Sequence, residues 1–357
     1  MYSIQQSAYL RDHRTAERIA HISTRSLMLL SPYIPVDVPA YRVAFPGLRI
    51  GIAEYNEGPT GVTVFHFPER AFAVVDVRGG APGTSLTDTL RMSFGKFVNG
   101  IAFCGGSVYG FEAAAGVATG LLESDNASTK WGEIAVVPAA VVFDFNGRTN
   151  HIYPDHALGR AALESAHSGW FPYGTRGAGR FVHSGAYFGQ SRMEQSGQGA
   201  AFADVGTTKL AVFTVVNARG ALMDRAGNTI LGNCDRESGQ RTAIRDDLRR
   251  GKRPEPAPSP TLCENTTLTL LITNRCLRQD ELWRLAITTH SSMARAIQPF
   301  HTERDGDTLF VTTTGDITAE EPNLSDLSVL ASELAWDAVL NCIPQNPGRL
   351  EQLSENS

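Results

Sequence analysis

The sequence has no excess of positive charge and no long apolar run. Lys and Arg number 32 against 37 Asp and Glu, so the formal net charge is −5. A nucleic-acid partner would require a clustered basic surface, so this balance predicts none. No apolar segment approaches the ~20 residues that span a bilayer, and the polar start "MYSIQQSAYLRDHRTAERIAH" has no signal-peptide pattern. We therefore expect a cytoplasmic protein without a membrane partner.

Cysteine is also scarce, and its spacing excludes several kinds of site. The five cysteines form no C-x-x-C pair, which predicts reduced thiols rather than a disulfide framework. The nine histidines show no metal-ligand spacing, and no glycine-rich nucleotide-binding fingerprint is present. The stretch "CGGSVYG" departs from the G-x-S-x-G nucleophile elbow, because Tyr109 replaces the second glycine. We expect neither a metal nor another cofactor.

What is present is typical of a globular protein with short strands and a few helices. Hydrophobic residues make up 42% of the chain and charged residues 19%. The runs "GVTVFHF" and "AFAVVDV" predict two strands joined by a turn at "PER", and "KLAVFTVVNARGALMD" predicts a hairpin around "NARG". Helices are predicted over about 107–123, 278–298 and 325–343. These blocks predict an α+β fold with helices packed on antiparallel sheets.

One boundary divides the chain. Residues 245–260, "RDDLRRGKRPEPAPSP", are rich in charge and proline, and we expect an exposed linker there. The following "CENTTLTLLITN" predicts a buried strand, because its residues are mainly β-branched or aliphatic. Asn265–Thr266, at the start of this strand, has two interpretations. The pair is either a turn before a strand or a cleavage site that makes Thr266 a new amino terminus.

The second interpretation has a chemical basis. A free α-amine has an ordinary pKa of roughly 7.7–8.0, so an N-terminal threonine carries a base beside its own hydroxyl. Such a terminus is made when the hydroxyl attacks the preceding carbonyl and water resolves the resulting ester. The reaction requires a small polar residue before the bond and an exposed segment upstream. Asn265 and residues 245–260 meet these requirements.

Two acids follow in "RDGDTLF". Asp305–Gly306 is typical of a tight hairpin turn. Asp305 and Asp307 are two residues apart, so on an extended chain their carboxylates share one side and could orient the hydroxyl and ammonium of a nucleophile. With His301 they could also bind a metal, but ligands so close along one turn make a poor cage.

Several motifs occur in the same order as in a known family. The chain resembles the nylon-oligomer hydrolases, a group within the self-cleaving N-terminal-nucleophile aminopeptidases, in "EGPTGVTVFHFPERAFAVVDVRGGAPGT", "CGGSVYGFEAAAGV", "VVNARGALMDRAGN", "ENTTLTLLITN" and "HSSMARAIQPFHTERDGDTLF". The resemblance extends from about residue 47 to 340. It implies a four-layer αββα sandwich made from a precursor that is cut in two, and a homotetramer of cut protomers.

By motif match, the resemblance implies cleavage between Asn265 and Thr266. The large fragment would be residues 1–265 and the small fragment 266–357, folded together as one domain. The expected substrates are linear 6-aminohexanoate oligomers or similar amides, hydrolysed through an acyl-enzyme on Thr266. Two alternatives remain open. One is an aminopeptidase acting on short peptides, and the other is a non-catalytic ring-forming protein that keeps the fold.

The resemblance also implies roles for other side chains. Asp305 and Asp307 match the acidic pair that holds the nucleophile. Asn217, in "VVNARG", matches the residue whose side-chain amide stabilises the oxyanion, a role that needs a preorganised donor. The chain departs from the family pattern at two positions. Tyr187 stands where these hydrolases carry a lysine and Phe143 where they carry a tyrosine, so two polar groups are missing from the expected site.

Overall fold

Single helices are interspersed among the strands along the chain. The computed structural model describes residues 30–91, 96–124, 128–254 and 265–344, and every element in these ranges lies within the unit Pro32–Ser357. The strands are β1 Ala40–Tyr41, β2 Arg49–Tyr55, β3 Thr60–Val77, β4 Thr84–Ser85, β5 Lys96–Cys104, β6 Ala139–Val141, β7 Phe171–Pro172, β8 His183–Ser184, β9 Glu194–Gln195, β10 Gln198–Val205, β11 Thr208–Asn217, β12 Ala221–Met223, β13 Thr229–Leu231, β14 Thr266–Arg275, β15 Ile297–Gln298 and β16 Thr308–Ile317. The α-helices are α1 Asp88–Arg91, α2 Phe111–Ser124, α3 His156–Glu164, α4 Ile244–Arg249, α5 Gln279–Ser292 and α6 Leu324–Leu340.

The largest sheet in the described ranges has nine strands, with β14 between β11 and β16. β14 pairs antiparallel with β11 and parallel with β16. Its sequence, "TTLTLLITNR", is buried at all ten positions, as a strand covered on both faces must be. A parallel pair requires a crossover connection, and α5 lies in the connection from β14 to β16. The prediction of a buried strand after the linker is confirmed.

Alternate residues of this sheet enter two different cores. Leu271 of β14 belongs to the core that contains Leu282 of α5. Its neighbour Leu270 belongs to the other core, where Phe213 of β11 meets Phe65 of β3 with ring centroids 5.0 Å apart. Helices α5 and α6 pack together, and so do α2 and α3, with α3 also contacting β2. The strand period of two therefore divides each strand between two apolar layers.

β3 is one strand of 18 residues, where two strands joined by a turn were predicted. Its first part pairs with β2 and β5, and its last part pairs with β16. The pairing with β5 is irregular between His66 and Ala71, and Arg70 has a positive φ of 62°. The "PER" stretch is therefore a bulge that bends the strand without ending it, because both halves find partners.

Both predicted hairpins near the site are wrong. β12 pairs with β13 and β15 in a separate sheet, so "NARG" crosses from one sheet to another. β16 runs parallel to β14, and Asp305 forms a parallel bridge with Asn265 rather than a hairpin turn. In both places, pairing with strands distant in the chain outweighs the local turn signal.

The predicted helices are confirmed with different ends. α2 begins at Phe111, because Ser107–Gly110 forms a 3-10 turn in which the Ser107 side chain does not serve as a cap. α5 ends at Ser292, and the chain returns to a strand at Ile297. No helix among the described residues is both long and apolar enough to cross a bilayer.

The predicted linker is folded at its start. Ile244 to Arg249 form the helix α4, and Ile244 packs with Phe188 in a small apolar cluster. The carboxylate of Asp247 is buried and accepts hydrogen bonds from Thr242 Oγ1 and Arg250 Nη2 at 2.8 and 2.7 Å. The expectation of an exposed linker was therefore wrong for helix α4. Residues 255–260 of the predicted linker lie outside the described residues.

Candidate active site

The site is centred on the carbonyl group of Asn265, where β14 begins. The hydroxyl Oγ1 of Thr266 donates a hydrogen bond to the carbonyl oxygen of Asn265 at 2.6 Å. The backbone N–H of Gly306 donates to the same oxygen at 2.7 Å. Thr266 is 1% exposed, so these contacts lie out of solvent. A hydroxyl and a polarising N–H therefore converge on the peptide bond that the sequence analysis singled out.

Gly306 permits this convergence because it has no side chain. A Cβ at this position would lie 2.6 Å from Thr266 Oγ1 and 3.0 Å from the carbonyl oxygen of Ala81. Both distances are shorter than ordinary van der Waals contact. Any other residue would push the hydroxyl or its own backbone N–H away from the Asn265 carbonyl.

Asn217 lies directly opposite Thr266, because these two residues are partners in the pairing of β11 with β14. Its carboxamide is buried and oriented. Oδ1 accepts the backbone N–H of His183 at 3.1 Å, and Nδ2 donates to the carbonyl of Phe143 at 3.1 Å. Because the atom that accepts the His183 N–H must be the amide oxygen, the other terminal atom of the Asn217 side chain is the nitrogen donor, Nδ2. The sheet thus places a fixed amide donor, on Asn217, across from the residue that carries the hydroxyl, Thr266.

Asp305 supports two segments that border the site. Its Oδ1 accepts the backbone N–H of Arg219 at 3.2 Å, and its Oδ2 accepts the N–H and the hydroxyl of Thr302 at 2.9 and 2.6 Å. Burial, together with the nearby charge of Asp307, raises the pKa of Asp305 to about 6. The group is therefore poised to change charge near neutral pH.

Asp307 holds the residue after the nucleophile. Its Oδ1 accepts the backbone N–H of Thr267 at 2.7 Å, and its Oδ2 lies 3.0 Å from both the backbone nitrogen and Nδ1 of His301. The two acids thus flank Gly306 and hold the backbone around it. The Thr266 hydroxyl is directed at the Asn265 carbonyl rather than at a carboxylate.

A pair of histidines behind Asp307 was not predicted as part of the site. The rings of His301 and His290 are 4.3 Å apart, and His290 Nδ1 lies 3.1 Å from a carboxylate oxygen of Asp76. Complete burial lowers the pKa of His290 and favours its neutral form. Asp76 and His290 are 214 positions apart in the sequence, so no local pattern could reveal this contact. The described residues contain no cluster of three His, Cys, Asp or Glu side chains arranged to hold a metal ion.

The two positions that depart from the family pattern contact Asn217 and Arg219, respectively. The carbonyl of Phe143 accepts the Asn217 amide, and the Phe143 ring packs on Phe145. The ring of Tyr187 lies under the guanidinium of Arg219, 4.8 Å from its centroid. Phe143 thus lacks the hydroxyl of the family's tyrosine, and Arg219 stacks on Tyr187, which replaces the family's lysine.

A cavity of about 580 Å³ adjoins the site. Arg219 and Thr302, whose backbone groups bind Asp305, form part of its wall. The volume is within the range of ~300–1,000 Å³ that small-molecule sites occupy. The remaining lining is Tyr187, Met223, Ala243, Ile244, Arg245, Leu248, Pro254, Ala294, Ile297, Gln298, Pro299, Phe300 and Glu303.

Comparison with known sequences finds a family and several similar proteins. The profile of peptidase family S58 matches residues 43–346. The 6-aminohexanoate-oligomer endohydrolase of Agromyces sp. (strain KY5R) is 43% identical over 321 residues, which cover 87% of this chain and 88% of that protein. The enzyme of the same name from Paenarthrobacter ureafaciens is 42% identical over the same shares of both chains. The resemblance to nylon-oligomer hydrolases is confirmed.

Comparison of folds gives a consistent result. The L-aminopeptidase D-Ala-esterase/amidase from Ochrobactrum anthropi, described as a variant of the Ntn hydrolase fold, matches with a TM-score of 0.60 and 15% identity over 87% of this chain and 88% of that one. A Burkholderia sp. beta-aminopeptidase matches with a TM-score of 0.59 and 18% identity, over 87% and 89% of the two chains. At these identities the likeness concerns the fold alone.

Proposed function

The chain belongs to peptidase family S58 and is an amide hydrolase, and from this we propose that it cuts itself between Asn265 and Thr266 and then uses Thr266 as an N-terminal nucleophile. The observation that carries the proposal is the pair of hydrogen bonds on the Asn265 carbonyl, from Thr266 Oγ1 and from the N–H of Gly306. A surface turn before a strand would not need a buried hydroxyl and a glycine that admits it.

Self-cleavage follows from this arrangement in two steps. Thr266 Oγ1 attacks the carbonyl carbon of Asn265, and the negative charge develops on the oxygen that Gly306 N–H already contacts. The hydroxyl proton passes to the Thr266 nitrogen, and the C–N bond breaks to leave an ester between the two residues. Water then hydrolyses the ester, which produces a carboxylate on Asn265 and a free amine on Thr266.

Hydrolysis of a substrate repeats the chemistry in the same place. The free amine of Thr266 accepts the hydroxyl proton, and Oγ1 attacks the substrate carbonyl. We assign the Gly306 N–H and Asn217 Nδ2 as donors to the oxyanion, because the N–H already contacts the Asn265 carbonyl oxygen and Asn217 is the cross-strand partner of Thr266. The α-ammonium protonates the departing amine, and water releases the acyl group from Thr266. Asp305 and Asp307 hold the surrounding backbone.

The relatives guide the choice of substrate and assembly. Two relatives at 42–43% identity are named 6-aminohexanoate-oligomer endohydrolases, so we propose linear 6-aminohexanoate oligomers or similar amides as substrates. We also propose the finer architecture, a four-layer αββα sandwich of fragments 1–265 and 266–357, and assembly into a tetramer. The pairing of β14 with β11 in one sheet supports the joint folding of the two fragments.

Intact mass and product analysis test the proposal together. The purified protein should contain two chains, one that ends at Asn265 and one that begins at Thr266. Linear 6-aminohexanoate trimer should be hydrolysed whether its amine is free or acetylated, because an endohydrolase does not need a free terminus. Activity confined to the free-amine trimer would indicate an aminopeptidase. An uncut, inactive chain would contradict the proposal and favour a non-catalytic ring-forming protein.

The activity should depend on pH through Asp305. Below its pKa of about 6 the protonated carboxyl is a weaker acceptor for Arg219 N–H and Thr302. Hydrolysis should therefore show a rise through about pH 6, below the separate rise that loss of the proton from the Thr266 α-amine gives in both proteins, and Asp305→Asn should lose only the lower rise. The check is kcat/KM from pH 4.5 to 8 for both proteins, and an unchanged acidic limb in the variant would contradict the assignment.

The free energy of unfolding gives a second test of Asp305, because the direction of its change with pH follows from the raised pKa. The folded-state pKa of Asp305 is raised from the usual 3.8, so the folded protein holds this proton more tightly than the unfolded chain does. The associated stability is present below about pH 4 and is lost as pH rises through about 6. Urea unfolding should therefore show Asp305→Asn gaining stability relative to the parent between pH 4 and 7.

A further inference from the structure

We propose that the cavity beside the site binds an unbranched aliphatic chain that ends in a carboxylate, with the carboxylate on Arg219. Within the proposed function, on which this extension rests, the chain would be the carboxyl end of the oligomer. The binding itself can be measured without any hydrolysis.

The first reason is that Arg219 is a nearly buried cation with an exposed partner. Its side chain is 9% exposed, whereas that of Glu303, which binds Arg219 Nη1 at 2.9 Å, is 75% exposed. An ion pair whose acid is in water is only weakly stabilised. Glu303 also lies 3.8 Å from Arg304 Nε, so it can pair with a second cation. A ligand carboxylate can therefore replace Glu303 on Arg219 at low cost.

The second reason is that Arg219 is held ready for such a ligand. The guanidinium stacks over the Tyr187 ring with 4.8 Å to its centroid. The backbone N–H of Arg219 is bound to Asp305 at 3.2 Å. Stacking and the backbone contact restrict the arginine, and a guanidinium in a fixed position can bind a carboxylate through two parallel hydrogen bonds.

The third reason is the chemistry of the remaining wall. Met223, Leu248, Ile297 and Phe300 present aliphatic and aromatic surface to the cavity. A polymethylene chain gains binding free energy with each CH₂ that it buries on such a surface. An apolar lining with one nearly buried cation, Arg219, at its wall therefore selects a flexible aliphatic acid over a peptide with bulky polar side chains.

The cavity is connected with the reaction through shared residues. Arg219 follows Asn217 by two residues, and Thr302 and Arg219 both bind Asp305, the residue before Gly306. A ligand on Arg219 is thus linked through Asp305 to both segments that carry the oxyanion donors, Asn217 and Gly306. Occupation of the cavity would position an oligomer relative to Thr266.

The test compares hexanoate with 1-hexanol, its neutral counterpart, by calorimetric titration of the purified protein. Neither compound contains an amide, so turnover cannot obscure the result. Hexanoate should bind at least about tenfold more tightly than 1-hexanol, as expected for a charge-assisted pair at a partly buried arginine. Arg219→Gln should remove this difference while 1-hexanol still binds. Equal affinities for the two compounds in the parent protein would overturn the proposal.

Two further variants separate a specific effect from misfolding. Glu303→Gln removes the competing acid at an exposed position, and hexanoate should bind about threefold more tightly as the competing pair is lost. Arg245→Gln is the matched control, because Arg245 lines the same cavity but its side chain is 59% exposed. Loss of the Arg245 charge should change hexanoate affinity by less than about twofold, as expected of a surface charge. A larger loss for Arg245→Gln than for Arg219→Gln would contradict the assignment.

Hydrolysis then distinguishes this inference from the proposed function. The parent should prefer 6-aminohexanoate trimer with a free carboxylate to the same trimer with a C-terminal methylamide, and Arg219→Gln should lose that preference. Arg219-dependent hexanoate binding without hydrolysis of either trimer would contradict the proposed function and leave the cavity assignment intact. Equal hydrolysis of both trimers by the parent would contradict the assignment of the cavity to the oligomer.

Discussion

Replacing Thr266 by alanine is expected to leave a single uncut chain of 357 residues and to abolish amide hydrolysis. The methyl group cannot attack the Asn265 carbonyl, so neither the ester nor the new amino terminus can form. Denaturing gels and intact mass should show full-length protein after prolonged incubation, with no turnover of the oligomer. A variant that still splits between Asn265 and Thr266 would contradict the assignment of the nucleophile.

The adjacent threonine provides the matched control. Thr267 is equally buried, and its Oγ1 has no hydrogen-bond partner among the described residues. Thr267→Ala should therefore cut and turn over normally, since the contact of Asp307 is with the Thr267 backbone N–H. Thr266→Ser, which keeps a hydroxyl, should also be processed. If Thr267→Ala folds normally but is not processed, Thr267 and not Thr266 carries the reaction.

Asn217→Ala is expected to lower kcat by about 10²–10³-fold, the effect of removing one oxyanion donor. The sheet presents the Asn217 amide opposite Thr266, and the N–H of His183 fixes Nδ2 as the donor. Self-cleavage should slow less, because Gly306 N–H already contacts the oxygen concerned. Single-turnover hydrolysis and the rate of fragment formation measure the two effects separately.

Asn274 is the control for structural damage from this change. It lies at the other end of β14, is also buried, and bridges backbone groups in the same way. Its Oδ1 accepts Lys209 N–H at 2.8 Å, and its Nδ2 donates to the Thr207 carbonyl at 3.0 Å. Asn274→Ala should reduce the free energy of unfolding as Asn217→Ala does, but leave kcat unchanged. Similar loss of kcat in both variants would return Asn217 to a structural role.

Patterns that depend on neighbouring residues were predicted well. The ten residues of β14 are β-branched or aliphatic almost throughout, and any partner strands would bury them. α6 also shows its apolar stripe in the sequence, with Leu327 and Leu334 entering one core. The hairpin predictions that failed rested on turn chemistry. Asp305–Gly306 has the composition of a hairpin turn, but β16 pairs with a strand some forty residues earlier.

The sequence by itself determined the class of fold, the family and the choice of Asn265–Thr266 as the bond to examine, because residue types, their periodicity and their order in motifs carry that information. Only the tertiary structure decided which groups meet at that bond. The contact of Gly306 N–H with the Asn265 carbonyl, the position of Asn217 opposite Thr266 and the pairing of His290 with Asp76 each join residues that are 41 or more positions apart. Strand register and the crossover through α5 set these contacts, and no local preference specifies either.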